Sequence, residues 1–220
     1  MADSARHPSF WDAAYRRGDH REHWESLDVE GEISAAFGAG APGEGLLAPG
    51  REVLDVGCGA GSGALALAAR GLRVIAVDGS AVALELGRRR ARRRGLAVDW
   101  RAGSALGLPV ADRSVDLVVD RGCLHVIARR QRRRYAKEVA RVLRPGGSLV
   151  VWAARCDDEE LGLLGLGAHE ANRLFGPRGF GRALAAPAVL SARAGSLAAN
   201  LLVLARADEA RRTRRSPSPR

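Results

Sequence analysis

Short apolar runs alternate with longer amphipathic stretches from residue 51 onward. Five runs rich in β-branched residues predict buried parallel strands: Glu52–Val56, Arg73–Val77, Ala97–Arg101, Val115–Asp120 and Gly147–Trp152. Three stretches between them predict helices, the last ended by Pro145-Gly146-Gly147: Ser62–Arg70, Ala81–Arg94 and Arg129–Leu143. This alternation predicts an α/β fold, a doubly wound parallel sheet with helices on both faces.

The two ends of the chain lack this alternation. Two helices are predicted near the start, before a Gly/Pro-rich connection over Ala39–Gly50: Ser9–Arg17 and Glu30–Phe37. After Trp152 the pattern predicts a helix, a loop and two closing strands: Asp157–Phe175, Pro177–Gly181, Ala188–Ala192 and Asn200–Ala205. We therefore divide the chain into an N-terminal helical lid and linker, one domain, and a basic tail predicted to be disordered: 1–49, 50–206 and 207–220.

Composition restricts the class of protein. The chain has 220 residues with 46% hydrophobic content, which suits one α/β domain with a sizeable core. Its apolar runs fall short of a membrane span, and its first residues have no signal-peptide pattern. Three cysteines without a CxxC pair do not form a disulfide framework. We expect a cytoplasmic protein that does not enter membranes.

The net charge of +10 is concentrated in three arginine-rich stretches. Arg88–Arg94, Arg129–Arg134 and Arg211–Arg220 hold sixteen of the 35 basic residues, which leaves 19 basic against 25 acidic residues elsewhere. The first stretch ends a predicted helix and the second begins one, so we expect them on opposite edges of the sheet. Because they would not form one phosphate-tracking stripe, a nucleic-acid partner is not expected.

The strongest chemical signal follows the first strand. Asp55 precedes glycines at 57, 59 and 61, and a helix of small residues starts next. Such glycines allow a sharp turn and close approach of a ligand, and the helix offers free N–H groups. Asp78 ends the second strand, where an acid can accept both hydroxyls of a ribose. An acid at position 55 suits an ammonium group better than a pyrophosphate, which disfavours a dinucleotide-binding oxidoreductase.

Four motifs occur in an order and spacing that resemble class I S-adenosylmethionine-dependent methyltransferases: Asp55–Gly61, Asp78, Asp120–His125 and Arg141–Gly147. The resemblance covers about residues 50–152. The opening Phe10-Trp11-Asp12-x-x-Tyr15-x-x-Gly18, with Trp24, is similar to the small-molecule branch that holds thiopurine, thiol/halide and tellurite methyltransferases. The resemblance implies a Rossmann-like sheet of seven strands, the last of them antiparallel.

The resemblance also implies a set of cofactor-binding residues. The glycine loop would line the methionine moiety of S-adenosylmethionine, with Asp55 toward its ammonium group: Gly57, Cys58, Gly59 and Gly61. Asp78 would hold the ribose, with Gly79 and Ser80 beside it. Asp120 and Arg121 would lie under the sulfonium end. Where the family commonly has an acid for the adenine amino group, this chain has Ser104-Ala105, so that contact falls to Ser104 or to a backbone group.

Further residues are candidates for substrate handling. Trp11, Tyr15 and Trp24 form either an aromatic lid over the sulfonium or the apolar face of a packed helix. His125, just past the fourth strand, is a candidate proton acceptor or an orienting residue, and Asp120 is the second catalytic candidate.

Two other features leave alternatives open. Arg129 attracts an anionic substrate or lies on a solvated face. Cys58, Cys123 and Cys156 resemble the three thiols of arsenite methyltransferases, but their spacing matches no metal motif, so we expect small buried thiols and no metal.

These observations predict a small-molecule methyltransferase (EC 2.1.1.-). It would move the methyl group of S-adenosylmethionine to a sulfur, nitrogen or oxygen nucleophile by in-line displacement, leaving S-adenosylhomocysteine. Segments 1–49 and 153–185 would form the substrate lid. The alternatives are an RNA or protein methyltransferase that docks through its arginine clusters, and a non-catalytic cofactor-binding protein. The sequence identifies neither the methyl acceptor nor the oligomeric state.

Overall fold

The computed structural model describes residues 7–208, so residues 209–220 of the predicted tail lie outside the described residues. Seven strands form one sheet in the order β3-β2-β1-β4-β5-β7-β6. Strand β7 is antiparallel to both of its neighbours, β5 and β6, and the other neighbouring strands pair in parallel. The strands are β1 (Glu52–Val56), β2 (Arg73–Asp78), β3 (Asp99–Ala102), β4 (Val115–Arg121), β5 (Leu143–Ala154), β6 (Leu184–Ala192) and β7 (Gly195–Ala205). The predicted Rossmann-like sheet, mostly parallel with its last strand antiparallel, is confirmed.

In the part of the chain that the structure describes, seven α-helices accompany the sheet: α1 (Pro8–Arg17), α2 (Asp19–His23), α3 (Val29–Phe37), α4 (Ser62–Ala68), α5 (Ala81–Arg94), α6 (Arg132–Val142) and α7 (Ala168–Phe175). Side chains of α3, α4 and α5 form one hydrophobic core with Val53, while α6 and α7 form another with Leu54. Adjacent residues of β1 thus face opposite layers. Because both faces of the sheet are covered, its strands are continuous apolar runs that the sequence pattern reveals.

The structure corrects several predicted boundaries. The helix predicted over Asp157–Phe175 begins only at Ala168, and Asp158 and Leu163 instead pair in a short bridge. Gly165 donates its N–H to the Asp157 carboxylate, which gives this glycine-interrupted segment a non-helical arrangement. Helix α2 lies in the polar stretch between the two helices predicted near the start, for which the sequence pattern predicted no element. Gly18, with φ of 89°, separates α2 from α1.

The predicted end of the helix before Pro145-Gly146-Gly147 is confirmed to within one residue, but the predicted start of the next strand is wrong. The helix ends at Val142, and β5 starts at Leu143 and passes through the Pro-Gly-Gly segment. A register shift opposite Val115 and Leu117 of β4 accommodates this irregular start. The same helix was predicted from Arg129 but begins at Arg132, after a 3₁₀ turn over Arg129–Gln131. Within residues 7–208, no helix has both the length and the apolar character needed to cross a membrane.

Arg132 fixes the segment between β5 and α7. Its side chain is fully buried and donates to the carbonyls of Ile127, Leu164 and Gly165. It also forms an ion pair with Glu170 at 2.9 Å. A positive charge at the start of a helix is unfavourable for the helix dipole, so these acceptors provide the compensation. Arg132 therefore holds the 157–165 segment against the first turn of α6.

Arg132→Met should lower the free energy of unfolding by about 3–5 kcal/mol, because three carbonyls would lose their donor, while the partly buried Glu170 would keep Arg129 as its ion-pair partner. Arg133→Met is the matched control, since Arg133 is exposed one position further along the helix. Urea denaturation of both variants measures the difference. Equal stabilities would contradict the assigned role of Arg132.

Candidate functional site

A cavity of about 1200 Å³ lies at the carboxyl edge of the parallel strands. Its walls come from the ends of β1 to β5, from the N-terminal helices, and from the β6–β7 hairpin. In the strand order, successive strands run outward on either side of the β1–β4 pair. Ligands of doubly wound folds bind at this switch point, beyond the carboxyl ends of the strands.

The glycine loop after β1 forms part of the cavity floor. Gly57, Gly59 and Gly61 all have positive φ, at 67°, 55° and 83°. A Cβ on Gly57 would clash with Cys123, and one on Gly59 would clash with the Tyr15 hydroxyl. A Cβ on Gly61 would clash with the Trp100 ring. Gly57, Cys58 and Gly59 line the cavity, whereas Gly61 packs against Trp100 outside it, which corrects its expected place beside the cofactor.

Asp78 fixes the shape of this loop. Its carboxylate accepts hydrogen bonds from the N–H groups of Gly59 and Ser80, both at 2.8 Å. Burial raises the pKa of Asp78. Asp78 and Gly79 line the cavity as expected. Ser80 is instead fully buried away from it, where its hydroxyl accepts from Ala83 N–H and donates to Asp12.

Asp55 lies beneath the loop, buried at the end of β1, and it lines the cavity. Burial, followed by the negative charges of Asp120 and Asp78, raises its pKa to about 7. The N–H of Ala64 is a favourable hydrogen-bond donor to it. Because one donor does not compensate a buried charge, a cationic ligand group would be stabilised here.

The structure does not bring the Asp120 side chain into the cavity. Its carboxylate accepts from the N–H groups of Cys123 and Leu124 and from the Tyr135 hydroxyl at 2.6 Å. Burial raises the pKa of Asp120 to about 6. The expected contact with the sulfonium end is therefore replaced by a structural role, in which Asp120 holds the turn that carries His125.

Arg121, the next residue, does line the cavity. It forms an ion pair with Glu32 of α3 and donates to the Trp24 carbonyl at 2.9 Å. Both partners belong to the N-terminal segment. Arg121 thus connects the end of β4 to the cover of the cavity.

The three aromatic residues of the N-terminal segment meet over the glycine loop. Trp24 contacts Trp11 and Tyr15 edge to face, with ring centroids 5.6 Å and 5.8 Å apart. The Trp24 Nε1–H donates to the Tyr15 hydroxyl at 3.1 Å, and burial raises the pKa of Tyr15 well above its usual value. All three line the cavity, so the packed-helix and lid interpretations describe the same arrangement.

The remaining predicted residues divide between cavity and surface. Ser104 and Ala105 line the cavity beyond β3. Arg129 does not: it is half exposed and pairs with Asp157 and Glu170. Cys58 and Cys123 line the cavity, but Cys156 is exposed, contrary to the expected buried thiol. Residues 7–208 contain no His, Cys, Asp or Glu cluster suited to a metal ion.

His125 lies on the cavity wall between β4 and β5. Its Nδ1 accepts a hydrogen bond from the backbone N–H of Ala154 at 2.9 Å. Burial, together with the positive charges of Arg121 and Arg132, lowers its pKa to about 4. The ring is therefore neutral near pH 7.

Sequence reasoning missed several polar residues of the cavity, above all His20 and Glu25. His20 stacks on Tyr15 with ring centroids 4.7 Å apart, and neither of its ring nitrogens has a hydrogen-bond partner within residues 7–208. Glu25 accepts from the Ser62 hydroxyl and pairs with Arg90, 65 positions away. Such distant partners leave no periodic signal, and the polar stretch from 19 to 28 gives no reason to single them out.

Residues 53–147 match the family model described as a methyltransferase domain. An uncharacterized protein of Mycobacterium tuberculosis is 31% identical over 141 residues, which cover 63% of this chain and 51% of that protein. A ubiquinone biosynthesis O-methyltransferase of a Chelativorans species is 28% identical over 178 residues, which cover 74% of this chain and 68% of that protein. The chain thus spans between half and about two thirds of these relatives.

Three solved structures share the fold. One is a structure from work on the conversion of a disulfide bond into a thioacetal group during echinomycin biosynthesis. It has a TM-score of 0.72 and 22% sequence identity, and the match covers 94% of this chain and 96% of that one. The Burkholderia thailandensis 1,6-didemethyltoxoflavin-N1-methyltransferase with bound S-adenosylhomocysteine has a TM-score of 0.70 and 21% sequence identity. The match covers 91% of this chain and 87% of that one. A [4+2]-cyclase has a TM-score of 0.69 and 20% sequence identity, and the match covers 93% of this chain and 98% of that one.

These findings confirm the predicted Rossmann-like fold, and residues 53–147 carry the similarity to methyltransferase domains. S-adenosylhomocysteine is the ligand named for the toxoflavin enzyme. The similarities do not single out the thiopurine and tellurite branch.

Asp55→Asn should stabilise the unliganded protein above pH 7. The unfolded chain ionises Asp55 near pH 3.8 and the folded chain near pH 7, so its ionisation opposes folding increasingly as pH rises between these values. At about 1.4 kcal/mol per pKa unit, the free energy of unfolding of the variant should exceed that of wild type by up to about 4 kcal/mol above pH 7. This difference should disappear at about pH 4. Urea denaturation at several pH values measures it. A variant that is less stable than wild type at pH 8 would contradict this electrostatic account.

Proposed function

We propose that this protein is an S-adenosylmethionine-dependent methyltransferase that acts on a small-molecule nucleophile. The observation that carries the proposal is one cavity in which the glycine loop, Asp55 and Asp78 face an aromatic cover of Trp11, Tyr15 and Trp24. This combination suits a ligand with a ribose, a free ammonium group and a second positive centre. S-adenosylmethionine supplies a methyl group on a sulfonium that is already a good leaving group.

The residues present fit this cofactor. Asp78 keeps lone pairs for ribose hydroxyls after accepting from Gly59 and Ser80, because each carboxylate oxygen has two acceptor sites. Asp55 would take the ammonium group, which relieves its uncompensated buried charge. Ser104 and Ala105, at the end of β3, would lie at the adenine, with the Ser104 hydroxyl as a polar contact. The aromatic rings above the loop favour a cation on their faces.

Positioning is the main catalytic contribution of this chain. The N-terminal helices and the loop containing Asp158 and Leu163 cover the cavity, and we propose that they exclude water and hold the acceptor in line with the methyl group. This assigns the substrate lid to residues within 1–49 and 153–185. The reaction itself forms the bond from acceptor to methyl carbon while the carbon–sulfur bond breaks toward sulfur.

A small acceptor is supported by the shape of the site and by related proteins. The cavity is covered by helices and a hairpin, and its volume of about 1200 Å³ exceeds the usual range of single-ligand sites, which leaves room for a cofactor and an acceptor. Related proteins are named for ubiquinone biosynthesis and for toxoflavin methylation, which are small-molecule activities. Transfer to sulfur, nitrogen or oxygen is compatible with this argument.

The alternative of docking RNA or protein through arginine clusters is not favoured. Arg129 and Arg132 pair with acids of their own chain, and so do Arg89 and Arg90 of the other cluster. These charges are already compensated. A non-catalytic or differently catalytic cofactor-binding protein has more support, because a [4+2]-cyclase shares the fold.

Calorimetric titration with S-adenosylhomocysteine should give micromolar binding, with NADH giving none. Asp78→Ala should weaken it at least tenfold, because the ribose acceptor and the brace of the glycine loop are both lost. Asp99→Asn is the control: Asp99 is an exposed carboxylate on the adjacent strand, outside the cavity. Thermal unfolding checks that each variant is folded. NADH binding, or undiminished affinity in Asp78→Ala, would overturn the proposal.

A further inference from the structure

We infer that His125 donates a hydrogen bond to the methyl acceptor instead of removing its proton, and that the acceptor is an apolar phenol, enol or thiol that reacts as its anion. This inference rests on the proposed function, whose cofactor site lies in the same cavity. It also reverses the role of proton acceptor that position alone suggested for His125.

The hydrogen bond from Ala154 determines which ring nitrogen carries the proton. A backbone N–H can only donate, so the Nδ1 atom that receives it at 2.9 Å supplies its lone pair. A neutral imidazole has one N–H, which must then be on Nε2. To take up a proton, His125 would have to use the lone pair of Nδ1, which faces the backbone of β5 and not the cavity.

The Nε2–H is free to serve a ligand. Within the described residues the Ala154 contact is the ring's hydrogen bond, and His125 lines the cavity. Gly122 lets the ring approach, because a Cβ built on this residue would lie 3.0 Å from Nε2 and its φ is +90°. The ring therefore presents one donor beside the end of β4.

Arg121 is the positively charged residue that lines the cavity on this side. Burial of the ring, together with the positive charges of Arg121 and Arg132, disfavours an imidazolium, and the Nε2–H beside the Arg121 guanidinium would favour a negatively charged atom. The acids on this side are poorly placed as bases. Glu32 is paired with Arg121, Asp158 accepts from Leu161 N–H, and Glu160 is exposed. Burial also raises the pKa of the nearby Cys123 thiol.

The rest of this half of the cavity is mostly apolar, with Ser191 and Ser196 of the hairpin as polar exceptions. The apolar lining beyond β4 includes Ile33 and Phe37 of α3, Trp152 of β5, and Leu190 and Leu197 of the hairpin. The Phe37 and Trp152 rings meet with centroids 6.0 Å apart. Such walls suit a largely apolar ring or chain that presents its reacting atom to His125.

The step balances without a protein base. The acceptor loses its proton to water before it binds, and its oxygen or sulfur lone pair then attacks the methyl carbon. The carbon–sulfur bond breaks, its electron pair stays on sulfur, and the positive charge of the donor and the negative charge of the acceptor disappear together. Acceptors that ionise near neutral pH are therefore preferred over alcohols.

Two measurements test the inference, with S-adenosylhomocysteine bound and 4-nitrophenol as the acceptor probe. Long-range ¹H–¹⁵N spectra of the imidazoles, assigned with His125→Gln, should show the Nε2–H tautomer before and after the phenol binds. The absorbance of bound 4-nitrophenol should show about tenfold preference for phenolate in wild type. His125→Phe should lose this preference, and His125→Gln, which keeps an N–H donor, should retain part of it.

Several outcomes would overturn the inference. They are an Nδ1–H tautomer, an imidazolium in the phenolate complex, equal phenolate preference in wild type and His125→Phe, or no binding of 4-nitrophenol. Calorimetry with S-adenosylhomocysteine alone separates this failure from failure of the proposed function. Cofactor binding without the predicted tautomer contradicts only the role of His125, whereas loss of cofactor binding contradicts the function itself.

Discussion

Three carboxylates buried at the ends of neighbouring strands set the electrostatics on which the site depends. Asp120 is compensated by two backbone N–H groups and the Tyr135 hydroxyl, and Asp78 by two N–H groups of the loops around it. Asp55 has the weakest compensation, and burial raises its pKa to about 7. A fold that keeps such a group at its ligand edge sacrifices stability there, as binding sites commonly do. A cation bound beside Asp55 would restore the balance.

The N-terminal segment is connected to these strand ends at separate points. Asp12 accepts from the Ser80 hydroxyl, the Tyr15 hydroxyl lies over Gly59, and Glu32 pairs with Arg121. Glu25 adds an ion pair with Arg90 of α5. Each contact joins a residue of the N-terminal segment to a residue beside the glycine loop or at the end of a strand. The position of this segment and the shape of the glycine loop are therefore coupled, and a ligand bound between them would stabilise both.

The central sheet could be predicted from the sequence because both of its faces are buried. Continuous apolar runs such as Glu52–Val56 have no other stable place, and glycines between them mark the turns. The predictions failed where local chemistry overrode the pattern. Gly165 and Asp157 hold a predicted helix open, and β5 continues through Pro145, which the pattern treats as the end of a helix.

The part of the site around the glycine loop was also more predictable than the part around the N-terminal helices. The spacing of a few residues at the ends of β1 and β2 was enough to predict where they lie: Asp55, Gly57, Gly59 and Asp78. Asp120 and Ser80 were placed at the correct strand ends, but their side chains serve the turn and the helix cap, which spacing does not reveal. His20 and Glu25 depend on tertiary contacts that no local pattern encodes.

The most direct test of the account is a crystal structure of the complex with S-adenosylhomocysteine. The account predicts the ribose against Asp78, the amino group toward Asp55, and the thioether sulfur under the rings of Trp11, Tyr15 and Trp24. A ligand bound elsewhere, or one whose amino group is directed away from Asp55, would contradict the claim that this buried carboxylate is the counter-charge of the cofactor.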